Sequence, residues 1–275
     1  MSHLTTNDHV NLNLKDWGTG SPVILMHGWP LSADTFDDMA IAIANSGRRA
    51  IAYDRRGFGR SSQPWGGYNY DRLADDLADV IKYTGSSDVT IVGFSMGGGE
   101  VARYMSRHEG RGVTKAVLIS SVVPYMLKTA DNPNGVEQKV FDGMTLAIKE
   151  DRAKFWTGFF KDFYGGQVSD EVMHWSQTLS MHASLKATLD CAGAFATTDF
   201  RPDLKSFKVP TLIIHGTADK TVPIDATARV AAKNIPGSTL LEYKNGPHGL
   251  FASHKVQLIE DVLEFVAHGP RVTTR

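Results

Sequence analysis

The chain has one cysteine, Cys191, in 275 residues. A lone thiol excludes an internal disulfide framework and fits a reducing compartment. Long apolar runs are missing too. Val23 to Met26 and Ala40 to Ala44 are among the longest, far short of the roughly 20 residues that cross a bilayer. Met1 to Asn13 is polar and has no apolar signal-peptide core. The expectation is a cytoplasmic protein with no membrane partner. Net charge is −1, with no block of like charges, so nucleic acid finds no electrostatic footprint. No His-Glu-x-x-His, clustered Cys/His or Gly-Lys-Ser/Thr phosphate loop occurs, which leaves no metal or nucleotide signature. No cofactor is expected, and a chain this long folds around its own core without disulfide or metal.

What is present is alternation. Val10, Leu12 and Leu14 alternate with polar residues and read as an edge strand or hairpin arm. Strand-like runs follow at 23–27, 50–53, 89–94, 116–119, 211–215 and 239–243. Helical patterns lie between them at 36–44, 72–83, 226–233 and 256–267, and after Ser95. Such alternation predicts an α/β fold with a mostly parallel central sheet flanked by helices. Asp75, Asp76 and Asp79 read as the wet face of the 72–83 helix. Pro124 to about Lys205 breaks the rhythm. It carries no convincing strand but holds Phe141, Phe155, Trp156, Phe159, Phe160, Phe163, Tyr164 and Trp175. We read 124–205 as a helical cap inserted before the last two strands, and 1–123 with 206–275 as the core. Most of the cap aromatics should pack, and a minority should face a substrate pocket.

Gly93-Phe94-Ser95-Met96-Gly97 sits between an apolar β-branched run and a helical pattern. Three fixed positions of this kind recur about 0.1 times by chance in such a chain, so the strand before and helix after carry the weight. A strand turning sharply into a helix at Gly-x-Ser-x-Gly is a nucleophile elbow. Serine needs a base to take its proton, and the base needs a carboxylate to orient it. In chains of this kind the order is Ser, acid, His. His248, in the loop Asn245-Gly246-Pro247-His248-Gly249, follows the last strand. His254, His268 and His215 are weaker rivals, the last because it precedes any downstream acid. Asp219 follows the strand after the cap, with Asp199, Asp203 and Asp225 as fallbacks. Oxyanion donors are expected from the backbone N–H of Met96 and of Trp29, since Pro30 has no N–H. Pro30 should also restrict Trp29 to extended backbone. Pro30, Val122, Tyr125, Phe141, Phe159 and Val222 are the candidate pocket residues. Asp54-Arg55-Arg56-Gly57-Phe58-Gly59-Arg60-Ser61 reads as a structural turn whose charges pair across it.

His27-Gly28-Trp29-Pro30, the Asp54–Ser61 stretch, Gly93 to Glu100, Thr198-Asp199-Phe200-Arg201-Pro202 and Pro247-His248-Gly249 together resemble the cofactor-free bacterial haloperoxidases, arylesterases and perhydrolases of the α/β-hydrolase superfamily. The resemblance runs from about Asp16 to the last helix. It implies a triad of Ser95, Asp219 and His248, oxyanion donors Trp29 and Met96, a helical cap, and neither metal nor haem. It further implies a homo-oligomer, a trimer or a dimer of trimers. The implied activity is hydrolysis of small carboxylic esters or lactones through an acyl-enzyme, with perhydrolysis when hydrogen peroxide replaces water. A γ-lactamase or amidase using the same triad, and a ligand-binding homologue without turnover, are the alternatives.

Overall fold

A computed structural model describes residues 2–270. Its elements in chain order are β1 (Ser2–Thr5), β2 (Asn11–Gly18), β3 (Pro22–Met26), α1 (Asp37–Asn45), β4 (Arg49–Tyr53), α2 (Tyr70–Thr84), β5 (Val89–Phe94), α3 (Met96–Arg107), β6 (Val113–Ile119), α4 (Gln138–Tyr164), α5 (Asp170–His182), α6 (Leu185–Thr197), β7 (Thr211–Gly216), α7 (Ala228–Asn234), β8 (Thr239–Tyr243), α8 (Leu250–Ser253) and α9 (Lys255–His268). The strands form one sheet in the order β1-β2-β4-β3-β5-β6-β7-β8. β1 and β2 are antiparallel to their neighbours, and the remaining pairs are parallel. Every residue of β3, β5 and β7 is buried, as continuous apolar runs covered on both faces demand. This is the α/β fold expected. β1 was not foreseen, because Ser2, His3 and Thr5 carry no apolar alternation; β2 provides the partner that makes it a strand.

Between β6 and β7 the chain carries α4, α5 and α6 and no strand of the sheet. α4 is two helices joined at Asp151, whose φ of −153° and ψ of 88° are extended. The Asp151 carboxylate accepts the Lys154 N–H at 2.9 Å, so it caps the second segment. That segment delivers Phe155 to Tyr164 to the carboxyl edge of the sheet. Residues 1 and 271–275, which belong to the expected core, lie outside the described residues.

Two charge readings need correction. Asp76 is 1 % exposed rather than wet. It receives Arg56 Nε and Nη2, both at 2.6 Å, and burial pushes its carboxyl upward against that pairing. The charges of the Asp54–Ser61 turn do not mainly pair across it. Arg55 binds Glu100 on α3, and Arg56 binds Asp76 on α2 and Asp8. Only Arg60 reaches Asp54, at 3.7 Å. A buried charge must be paired, and here the partners come from α2, α3 and the β1–β2 turn, which the Asp54–Ser61 turn touches only in the folded chain.

Candidate active site

Ser95 sits between the last residue of β5 and the first of α3, with φ 54° and ψ −116°. A non-glycine residue in that region costs about 1–3 kcal/mol and needs surroundings that enforce it. The enforcement is visible. Ser95 N–H donates to Ile119 O at 2.8 Å, and its carbonyl accepts Gly98 N–H at 3.0 Å and Val122 N–H at 3.3 Å. A Cβ on Gly93 would strike the Gly97 backbone, and one on Gly97 would strike Met26 O. The two glycines are therefore the space through which the chain doubles back.

β7 and β8 end beside this elbow and carry its partners. Ser95 Oγ lies 2.9 Å from His248 Nε2. His248 Nδ1 lies 2.6 Å from Asp219 Oδ2. The other carboxylate oxygen accepts the N–H groups of Thr221 and Val222, each at 2.8 Å. Burial alone would push the Asp219 carboxyl up. The charge and hydrogen bond of His248 and the hydrogen bond from His215 outweigh it, and hold the group well below the usual carboxylate range. Phe163 stands edge-on to the imidazole at 4.8 Å between ring centres, and Phe94 lies tilted against it at 5.1 Å. Phe94 belongs to the elbow motif, whereas Phe163 was one of the cap aromatics not placed at the site; together they cover His248, which is 1 % exposed. The fallback acids are engaged elsewhere. Asp199 binds Arg201, Asp203 binds Ser106 and Arg103, and Asp225 binds Arg229. Cys191 is buried, which pushes its thiol up to about 12 and removes it as a competing nucleophile.

The loop after β3 presses on the serine. A Cβ on Gly28 would lie 2.7 Å from the Phe94 ring and 3.1 Å from Ser95 Cβ. Only glycine lets the Gly28–Trp29 backbone come this close to Ser95. The loop is held from beneath by Arg55, which is 1 % exposed. Arg55 Nη2 donates to His27 O at 2.6 Å, and its backbone N–H donates to His27 Nε2 at 3.0 Å. Because that ring nitrogen accepts, Nδ1 carries the hydrogen given to Gly28 O at 2.9 Å. Burial and Arg55 keep His27 well below the usual histidine range. Arg55 Nε binds Glu100 on α3, so one buried ion pair ties the loop carrying Trp29 to the helix that begins at Met96. The Trp29 indole packs as well. Nε1 donates to Thr188 O at 2.9 Å, and the ring meets Trp156, Phe159 and Phe195 edge-on.

Ser95 and His248 open into a cavity of about 380 Å³. Of the expected pocket residues, Val122, Phe141, Phe159 and Val222 line it, and so does Trp29. Pro30 and Tyr125 do not. Pro30 is buried behind a cis Trp29–Pro30 peptide, and the Tyr125 ring turns to the Arg201 guanidinium, 5.0 Å away. Met126, Val136, Val140, Met144, Phe155 and Phe195 were missed and complete an apolar wall. An ion pair, Lys220 with Asp162 at 3.1 Å, both 69 % exposed, marks the rim. Trp156, Phe160, Phe163 and Tyr164 are buried packing. Among the described residues no group of three or more His, Cys, Asp or Glu could hold a metal, and no helix is long and apolar enough to cross a membrane.

A mostly parallel sheet, a strained serine at a strand-to-helix turn, and a histidine and aspartate in line behind it define the α/β-hydrolase class. A family profile described as the alpha/beta hydrolase fold matches residues 21–255. A non-heme chloroperoxidase of Kitasatospora aureofaciens is 40 % identical over 269 residues, 95 % of this chain and 98 % of that protein. A bifunctional esterase/perhydrolase of Acinetobacter calcoaceticus is 40 % identical over 97 % of this chain and 99 % of its own length. The crystal structure of a bromoperoxidase from Bacillus anthracis superposes with TM-score 0.93 at 40 % identity, covering 97 % of this chain and 99 % of that one. The chain belongs to the alpha/beta hydrolase family, in its group of non-heme haloperoxidases and esterase/perhydrolases, and is an enzyme of that kind.

Proposed function

We propose that the protein is a serine hydrolase of small carboxylic esters or lactones, acting through an acyl-enzyme on Ser95. The observation that carries the reading is the unbroken line Ser95 Oγ, His248 Nε2, His248 Nδ1, Asp219 Oδ2, at 2.9 and 2.6 Å, opening into an apolar cavity. Ser95 Oγ attacks the carbonyl carbon while its proton passes to His248 Nε2. Asp219 stabilises the imidazolium so formed. The N–H groups of Met96 and Trp29 receive the oxyanion. Collapse breaks the bond to the leaving alkoxide, which takes the proton from His248. Water then repeats the sequence and frees the acid. The cavity suits acyl or alkyl groups without charge, since its one ion pair lies at the rim.

Hydrogen peroxide in place of water would give a peracid. The full-length likeness to an esterase/perhydrolase favours this second outcome of the same acyl-enzyme. The test is steady-state turnover of p-nitrophenyl esters, with and without peroxide. Ser95→Ala and His248→Ala should each lower kcat by roughly 10⁴-fold or more, with little added loss in the double variant, because the residues act as one unit. Near-normal turnover by folded Ser95→Ala overturns the assignment.

A further inference from the structure

One buried polar group next to the site has no part in the steps above. His215, at the end of β7, is fully buried. Its Nε2 lies 2.9 Å from Val222 O and 3.2 Å from Asp219 Oδ2. A carbonyl oxygen only accepts, so Nε2 carries a hydrogen, shared between the two oxygens. Asp219 Oδ2 is the atom that receives His248, while Asp219 Oδ1 takes the Val222 N–H. The three residues thus close a ring from His215 to Val222, from Val222 to Asp219, and from Asp219 back to His215. Val222 lines the cavity. His215 Nδ1 is buried without a partner. An unpaired buried polar atom costs free energy, which a side chain that merely filled space would avoid.

We propose that His215 is a positioning residue. Its Nε2–H ties the acid to the Val222 wall and occupies part of the Oδ2 lone-pair density, limiting how tightly Asp219 holds the Nδ1 proton of His248. The inference rests on the triad reading above. The titratable groups around His215 are Asp219, His248 beyond it, and Glu242 opposite on β8, which is itself bound to Arg229 of α7. On the β6 side, Ile119 and the following Ser120, which meet Ile214 beside it, carry no charge.

His215→Phe keeps an aromatic ring of slightly greater volume and removes the donor. His215→Gln keeps an N–H near the Nε2 position. Thermal melts, kcat, KM and the pH profile of kcat/KM are measured for both, with wild type and Ser95→Ala beside them. In the Phe variant kcat should fall about 3- to 10-fold, the net worth of one hydrogen bond, with KM near wild type. The acid limb of kcat/KM should move to higher pH, because a less satisfied carboxylate grips the His248 proton more tightly. The Gln variant should recover both. A Phe variant whose acid limb coincides with wild type overturns the proposal. So does a Gln variant no closer to wild type than Phe, or a change confined to KM. If the Phe variant does not fold, His215→Asn, whose amide is too short to reach Oδ2, takes its place with the same expectations. Full turnover by Ser95→Ala would show that the triad reading itself had failed.

Discussion

Gly28→Ala adds one methyl group and tests how the loop after β3 meets Ser95. Gly28 is not in the left-handed region, so alanine meets no backbone penalty, and whatever follows is steric. The new Cβ would sit 2.7 Å from two Phe94 ring carbons and 3.1 Å from Ser95 Cβ. Ordinary contact begins near 3.4 Å, so the groups must part by 3.4 − 2.7, about 0.7 Å. Either side of the contact can give way. If the loop moves, the Trp29 N–H leaves the position we propose for binding the oxyanion. If Phe94 moves, it presses on His248, whose ring centre is 5.1 Å away, or on Phe163 and Phe251. Overpacking of this order costs about 1–3 kcal/mol of stability. Misplacement near 1 Å costs on the order of 10²-fold in rate, and loss of one oxyanion donor about 10²–10³-fold. We expect kcat for a p-nitrophenyl ester to fall about 10- to 10²-fold, with KM within a factor of a few and a lower, still cooperative melt. A folded Gly28→Ala enzyme with wild-type kcat would refute the reasoning, because it would mean that nothing near the oxyanion depends on this contact.

Arg55→Met or Glu100→Gln leaves the other charge buried and should cost about 3–5 kcal/mol in urea titrations, while the double variant should lose less than the sum; strict additivity would show that the pair is not coupled. Phe159→Ala enlarges the cavity at its wall and should move the ester preference toward longer or bulkier acyl groups, read as kcat/KM across a chain-length series; an unchanged preference would place the acyl group elsewhere. Asp219 has a folded-state carboxyl below its ordinary range, so its ionised form stabilises the fold above about pH 4, and that contribution is lost as pH falls through the depressed value. The stability difference between wild type and Asp219→Asn should therefore be largest near neutrality and narrow on acidification, and a gap that widens toward pH 3 would contradict this sign.

Much of the site was legible because its signals are local. The elbow is written in five consecutive residues, Gly93 to Gly97, and strand, loop and helix on either side of it follow from periodicity and turn chemistry. Asp219 and His248, which the fold brings to Ser95, were singled out by chain order, each just beyond a recognisable strand. Asp76 was misread because a helix face was judged from its own helix alone, while Arg56 arrives from a turn 20 residues earlier. His215 was set aside on chain order, although it touches the acid, because order says nothing about which way a buried strand residue points. Pro30 and Tyr125 neighbour true cavity residues in sequence, yet adjacent side chains in loops diverge.

The sequence by itself determined the α/β alternation, the insertion of helices between two strands, the elbow that carries Ser95 and the order in which Ser95, Asp219 and His248 follow along the chain. All of these depend on interactions within a few residues, or on counting along the chain. Tertiary structure alone decided that Ser95 and His248, 153 residues apart, meet at 2.9 Å. It also decided which aromatics of α4 line the cavity and which only pack, and that one arginine joins the loop of Trp29 to the helix of Met96. Those outcomes depend on how whole elements dock, where shifting a helix by one residue turns its side chains by about 100°. Burial, hydrogen-bond distance and charge pairing at the site exist only after that docking.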